Sequence, residues 1–350
     1  MKRIYLIIYL ALLVCVCLSS CTEQLDINRT DNTISLRAEV ENVMPATRNS
    51  NYATPVSDNN ITATVWFSTV QGNFNPDNKD PETNIPGHYV INFKGEEAVF
   101  PEVNNENERP RYPIPDENGS VQDVYCVGFY PHIGWSYVPG DGTDANHSKA
   151  THTITGFEDL MFAAPISGNW NNHFDRQKFT HLLTWLKVCV CTTTTEAGNY
   201  WGKLKKITLV DVPSGLQIND LSKMQSEYTD GKLTGNDVTP LYNKDSEGKK
   251  IENSPAILDN PDGIDLGINI QDVGSIFCYP QSSYTLKIEC EYGTVSKKID
   301  LKAFEGTIGF PAGMQYTLTL YFHPFNVVEG VCTLNAWDAQ NEDLYPDAQQ

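Results

Sequence analysis

At 350 residues the chain is longer than one hydrophobic core usually serves, so two domains are the default expectation. Its formal net charge of −19 excludes nucleic acid and anionic membrane surfaces as natural partners, because both attract positive charge. No long helical periodicity appears anywhere, which leaves little room for an α class.

The chain opens with Lys2 and Arg3, an apolar run over 4–18, and then Leu18, Ser19, Ser20 and Cys21. That is the anatomy of a secretion signal over 1–20, and the run is too short for a comfortable membrane span. Small residues directly before a cysteine are what a lipoprotein signal peptidase recognises. Cys21 is therefore the expected lipidation site, holding the product to a membrane by acyl chains rather than by a helix. The alternative is an ordinary signal peptide whose cysteine is accidental.

Residues 21–48 form the next unit. Ile34, Leu36, Ala38 and Val40 alternate with Ser35, Arg37 and Glu39, the pattern of one half-buried strand. The stretch 44–51 is small and polar with a proline, an exposed loop that a protease can enter at Arg48. Two readings stand side by side. The strand is either a removable occupant of a groove, later replaced by an extended segment of another subunit, or an ordinary first edge strand followed by a loop.

A first domain is expected over 49–196. The stretch 61–67 is rich in β-branched and aromatic residues and predicts a strand, followed by a long Asn/Asp/Pro-rich loop. Shorter strands are expected at 88–93 and 97–100, and 124–131 is apolar on both faces and ends at Pro131, as a central strand would. The stretch 134–147 is expected to be loop. Strands follow at 151–157 and 159–165, and one long strand at 179–191, broken at 192–198. The domain boundary is placed there.

A second domain is expected over 197–350. Leu204, Ile207, Leu209 and Val212 restart the pattern, and 219–228 is the best short helix. The tract 229–260 is polar, and 259–265 is acidic in a spacing that does not fit an EF-hand, so an acidic turn is expected. Alternation is cleanest at 284–292, which turns through Gly293 into 295–301 as a hairpin. Strands at 315–322 and 330–337 complete the set. Many short strands with turn punctuation predict an all-β chain of two tandem β-sandwich domains with little helix.

Of nine cysteines, Cys15 and Cys17 lie in the signal and Cys21 at the lipid site. Cys126, Cys189, Cys191, Cys278, Cys290 and Cys332 remain, an even number that permits disulfides outside the cytosol but mostly sits in apolar strands, where a thiol packs as a small hydrophobe. No catalytic, metal or cofactor-binding motif is present: there is no Gly-x-Ser-x-Gly, no His-Glu-x-x-His and no phosphate-binding glycine loop. The chain is expected not to be an enzyme. Trp135, Trp170 and Trp201 lie near Gly, Asn and Pro, and are the aromatics to consider for a glycan or host-receptor site.

The residues carry a resemblance. Cys21 in its lipobox, the strand at 34–40 followed by Thr47 and Arg48, the Asp159-Leu-Met-Phe-Ala stretch, the Phe179-Thr-His181 strand, the 310–320 run and the closing Ala336-Trp337 come in the order seen in fimbrillins. The chain resembles these type V pilin subunits of Gram-negative outer-membrane fimbriae over nearly all of its mature length. The resemblance implies transthyretin-like or Greek-key sandwiches, export as a lipoprotein to the outer membrane, and cleavage after Arg48 by a trypsin-like extracellular protease. It further implies loss of the first strand, and polymerisation with other fimbrial subunits by strand exchange. The tail after Trp337 holds only Leu344 and Tyr345 as large apolar residues and includes Pro346, a poor donor strand. A tip or accessory subunit with an adhesive role fits slightly better than a stalk subunit, the stalk alternative being that the strand before Trp337 swings out as the donor. The alternative is a surface lipoprotein that binds glycans or host ligands without polymerising.

Overall fold

The computed structural model describes residues 32–40, 61–85, 87–94, 97–100, 108–140, 147–227, 237–300, 312–325 and 327–335. The signal, Cys21, Arg48 and the tail from 336 onward lie outside the described residues. The chain is all-β, as expected. The described residues from Ile34 onward belong to one compact unit.

The first half contains β1 (Arg37–Val40), β2 (Ile61–Ser68), β3 (Gly87–Lys94), β4 (Glu97–Val99), β5 (Val124–Tyr130), β6 (Ser136–Val138), β7 (Lys149–Thr153), β8 (Met161–Gly168), β9 (Arg176–His181) and β10 (Thr184–Thr192). One helix follows, α1 (Thr195–Trp201). The second half contains β11 (Leu204–Leu209), β12 (Gly215–Ile218), β13 (Val238–Leu241), β14 (Ala256–Ile264), β15 (Gln271–Cys278), β16 (Ser283–Cys290), β17 (Thr294–Asp300), β18 (Gln315–His323) and β19 (Val327–Asn335).

Seven strands pair into a closed barrel in the order β1-β4-β3-β2-β5-β8-β9. Its lining follows the period-2 rule: Ile61, Ala63, Val65 and Phe67 of β2 point inward with Ile91 and Phe93 of β3. Trp66, from the opposite face of β2, packs in a separate cluster with its ring 4.4 Å from that of Phe129. In β5 the same alternation gives Val124 and Cys126 to the barrel, and Val127 and Phe129 to the outer cluster. Strands β2, β5 and β8 are thus covered on both faces, which is why 61–67 and 124–131 are almost continuously apolar.

Two four-stranded sheets, β15-β10-β18-β19 and β14-β11-β16-β17, share a second core. Leu186, Val188 and Val190 of β10, Leu318, Leu320 and Phe322 of β18, Ile207 and Leu209 of β11, and Leu286 and Ile288 of β16 meet there. The expected hairpin is present, with Leu286 opposite Lys297 and Ile288 opposite Val295. A last sheet, β13-β12-β7-β6, covers the outer cluster around Trp66. Strand pairing crosses position 196 in both directions: β10 joins the second core, while β12 pairs with β7.

Several local expectations are corrected. The run 179–191 is two strands, because at Leu182 and Leu183 the chain leaves the barrel sheet and enters the second one. Of the expected helix at 219–228, the described residues 219–227 form no α-helix. Asp220 accepts from the backbone of Ser222 at 2.8 Å, and a single 3-10 turn follows at Gln225–Glu227. The expected break at 192–198 contains the start of α1, capped by Thr194, whose Oγ1 accepts from the Ala197 N–H at 3.1 Å. The acidic stretch 259–265 is mostly strand, β14, with register shifts against β11 and Gly263 at φ 71°. The expected loop at 134–147 contains β6.

Candidate functional site

The first strand sits between β4 and β9 and closes the barrel. Against β9 it runs parallel, with Arg37, Ala38, Glu39 and Val40 registered on Arg176, Gln177, Lys178 and Phe179. Against β4 it runs antiparallel, through the single pair Arg37 with Glu97. Ahead of the strand, the Ile34 N–H donates to the Pro110 carbonyl at 2.9 Å. Ile34, Leu36, Ala38 and Val40 are 1–5% exposed, and Ser35, Arg37 and Glu39 are exposed. The alternation read in the sequence is therefore the alternation of burial.

The two rails of this groove are held differently. Residues 108–112 are anchored independently of β1: Asn84 Nδ2 donates to the Arg109 carbonyl at 2.8 Å, and the Arg111 N–H donates to the Thr83 carbonyl at 3.0 Å. Tyr89 adds a bond from its hydroxyl to the Glu108 carbonyl at 3.3 Å; burial first, and the Glu108 charge second, push that phenol up. On the other rail, β8 pairs with β9 only from Phe179 to His181. The preceding residues of β9 pair with β1, and one of them, Gln177, donates from Nε2 to the Cys126 carbonyl at 3.1 Å.

Outside, Arg176 Nη1 lies 3.3 Å from Glu39 Oε2, with both side chains partly in solvent. An exposed pair of this kind contributes at most about 1 kcal/mol, so it sets position more than strength. Beneath, the four apolar side chains join Phe93, Phe100, Tyr112, Met161 and Phe179 in one core. The strand thus completes a core while making few backbone pairs on its β4 side.

The other expected residues are dispersed. Trp135 is half-buried, its ring centred 4.9 Å from those of both Phe129 and His152 in tilted contacts. Trp170 is half-buried beside the turn in which Asn169 Oδ1 accepts from Asn171 and Asn172. Trp201 is fully buried, and its indole N–H donates to the His323 carbonyl at 2.6 Å. That ring offers no face to a sugar, which corrects the expectation of a platform there. The three lie on separate elements.

Sequence reasoning did not find a polar cleft of about 290 Å³ at the ends of β6, β7, β12 and β13. Ser136, Thr151, Thr153, Ser214, Tyr242 and Asn243 line part of it. These residues are far apart in sequence, so no spacing signal marks them. All six cysteines after Cys21 are free thiols, five of them buried. Among the described residues no group of three or more His, Cys, Asp and Glu is arranged to hold a metal, and no helix is long and apolar enough to cross a membrane.

No protein-family model matches the sequence, and no curated protein matches it. Solved structures do. A candidate cell adhesion protein from Bacteroides uniformis is 12% identical, with 88% of this chain and 100% of that one covered at a TM-score of 0.50. The two chains share a fold. A candidate cell adhesion protein from Bacteroides ovatus is 14% identical, covering 88% and 99% of the two chains at a TM-score of 0.45. A fimbrial protein from Bacteroides ovatus is 10% identical, covering 84% of this chain and 49% of its own length at a TM-score of 0.31.

Proposed function

We propose that the chain is a structural subunit of a surface fimbrium, in a tip or accessory position with an adhesive role, and that β1 is the segment exchanged during assembly. The observation that carries this reading is the seat of β1: four alternating apolar side chains, all buried, in a strand that closes a barrel between β4 and β9. Losing it exposes an apolar slot and a row of unpaired backbone groups along β9, an edge that binds avidly until refilled. The fold shared with a candidate cell adhesion protein supports a surface role. In this reading Cys21 carries the lipid that holds the precursor at the outer membrane, and a trypsin-like protease cuts after Arg48 to free the strand. No catalytic chemistry is assigned to the chain.

Limited trypsin treatment of the purified protein, followed by mass spectrometry and size analysis, tests the reading. Early cutting at Arg48 and loss of the preceding segment are expected, with higher-order species forming once partner subunits are added. A protein whose first strand stays bound after complete cutting there is no exchange subunit.

The polar cleft beside β6 and β13 favours a second reading, a surface lipoprotein that binds glycans without polymerising. Hydroxyl and amide side chains with a tyrosine ring suit a sugar. Retention on a polysaccharide gel without assembly distinguishes it.

A further inference from the structure

The groove under β1 has more structure than an apolar slot, and its details specify an occupant. Side chains alternate with period 2, so a strand slipped by two residues still turns apolar groups inward. Something else must fix the register. Two positions can. The third inward residue, Ala38, is the smallest of the four and is 2% exposed in a filled core, registered on the buried Gln177. A two-residue slip would place Leu or Val there and overpack it. The outward residue Glu39 is registered on Lys178 and ion-paired with Arg176, on a basic stretch of β9 in an otherwise acidic chain. A slip moves that carboxylate away from both cations.

Resting on the exchange reading above, we propose that the groove accepts a strand of defined pattern. Apolar residues stand at the first and third places, a small residue (Ala, Gly or Ser) at the fifth, a carboxylate at the sixth and an apolar residue at the seventh. The strand runs parallel to β9, with its leading end at Pro110. Residues 34–40 have this order, and no other stretch of the 350 residues does. The nearest, 222–228, fails at its first place, where Ser222 stands. The 330–339 stretch places Trp337, not a carboxylate, after Ala336. The occupant after release is therefore an extended segment of a different polypeptide carrying the pattern, and the chain does not polymerise with itself.

The test uses the trypsin-processed protein and labelled ten-residue peptides, with binding followed by fluorescence anisotropy. The 32–41 peptide should bind, its Ala38→Leu form at least tenfold more weakly and its Glu39→Lys form several-fold more weakly. Arg176→Glu in the protein should reverse the preference between the unsubstituted peptide and its Glu39→Lys form while leaving the Ala38→Leu penalty unchanged. A peptide of residues 330–339 should not compete, and processed protein alone should stay monomeric in light scattering. Equal binding of all peptides would overturn the proposal while leaving strand exchange intact. So would self-association, including a dimer swapping its own first strands. If even the 32–41 peptide fails to bind a processed, strand-free protein, the exchange reading itself falls, and this proposal with it.

Discussion

Replacing Leu36 by alanine is the sharpest single test of whether β1 is separable from the fold. Leu36 is 1% exposed and lies in the barrel core. Truncating a buried leucine costs about 2–5 kcal/mol, through lost transfer energy and the cavity left behind. If β1 can leave while the barrel stays folded, a loss of about 3 kcal/mol appears directly in that local opening, a change of about a hundredfold. Native-state hydrogen exchange reads it. The backbone amides of Ala38 and Val40 should exchange about a hundredfold faster, while those of β10 and β18 keep their protection. Leu318→Ala is the control: Leu318 is fully buried in the second core, so it should lower global stability without speeding exchange in β1. If Leu36→Ala leaves β1 exchanging at the same rate as the rest of the barrel, the strand opens only by global unfolding. The proposed exchange of β1 is then refuted.

Other outcomes follow from the same geometry. Glu39→Lys in the intact chain should lower the unfolding free energy by less than about 1 kcal/mol, because the pair with Arg176 is exposed; a larger loss in a urea titration would mean the pair holds the strand in place. Asp159→Ala removes one member of a buried pair in which His181 Nδ1 lies 2.6 Å from Asp159 Oδ2, both side chains 1% exposed, and should cost about 3–5 kcal/mol in thermal or chemical unfolding. Trp201→Phe deletes the bond to the His323 carbonyl and should cost about 1–3 kcal/mol by the same measurement. Burial pushes the Cys278 and Cys290 thiols up to about 12, and Cys332 up to about 11. An unfolded thiol titrates near about 8.5, so ionisation favours unfolding: the stability these groups carry is complete below that pH and is lost as pH rises from there toward 12. Urea midpoints should be flat from pH 7 to 8 and fall by pH 10. A thiol reagent at pH 8 should meet the half-buried Cys332 before the other five.

The alternation at 34–40 and at 284–290 survives folding because one face of each strand meets a core and the other is turned away from it, which is the condition under which a period of two is visible. Tyr292, expected on the inner face, lies past the strand end and is exposed. The run at 179–191 misled for the opposite reason. Buried residues continue through Leu182 and Leu183 as the chain moves from one sheet to the next, so hydrophobicity shows no seam where the pairing changes. The helix α1 was hidden by length: seven residues give barely two turns of pattern, and only Thr194 as a cap and Trp201 as a buried anchor identify it. The inward residues of the candidate site were legible, since they belong to one segment. Its rails were not. Pro110, Arg176 and Lys178 come from segments whose adjacency to β1 depends on barrel closure, a long-range event with no local signature. Trp201 shows the converse, since loop-like neighbours in sequence did not keep its ring out of the core.

The parallel seating of the first strand on β9 has a mechanical consequence. A segment lying there and drawn along its own axis strains all its cross-strand bonds together, in shear, and does not peel them off one after another. From β9 the covalent chain passes through only Leu182 and Leu183 into β10, which is itself aligned over eight residue pairs alongside β18. Under the proposed fimbrial role, tension entering at the groove would thus run down a nearly continuous cable from the barrel into the second core.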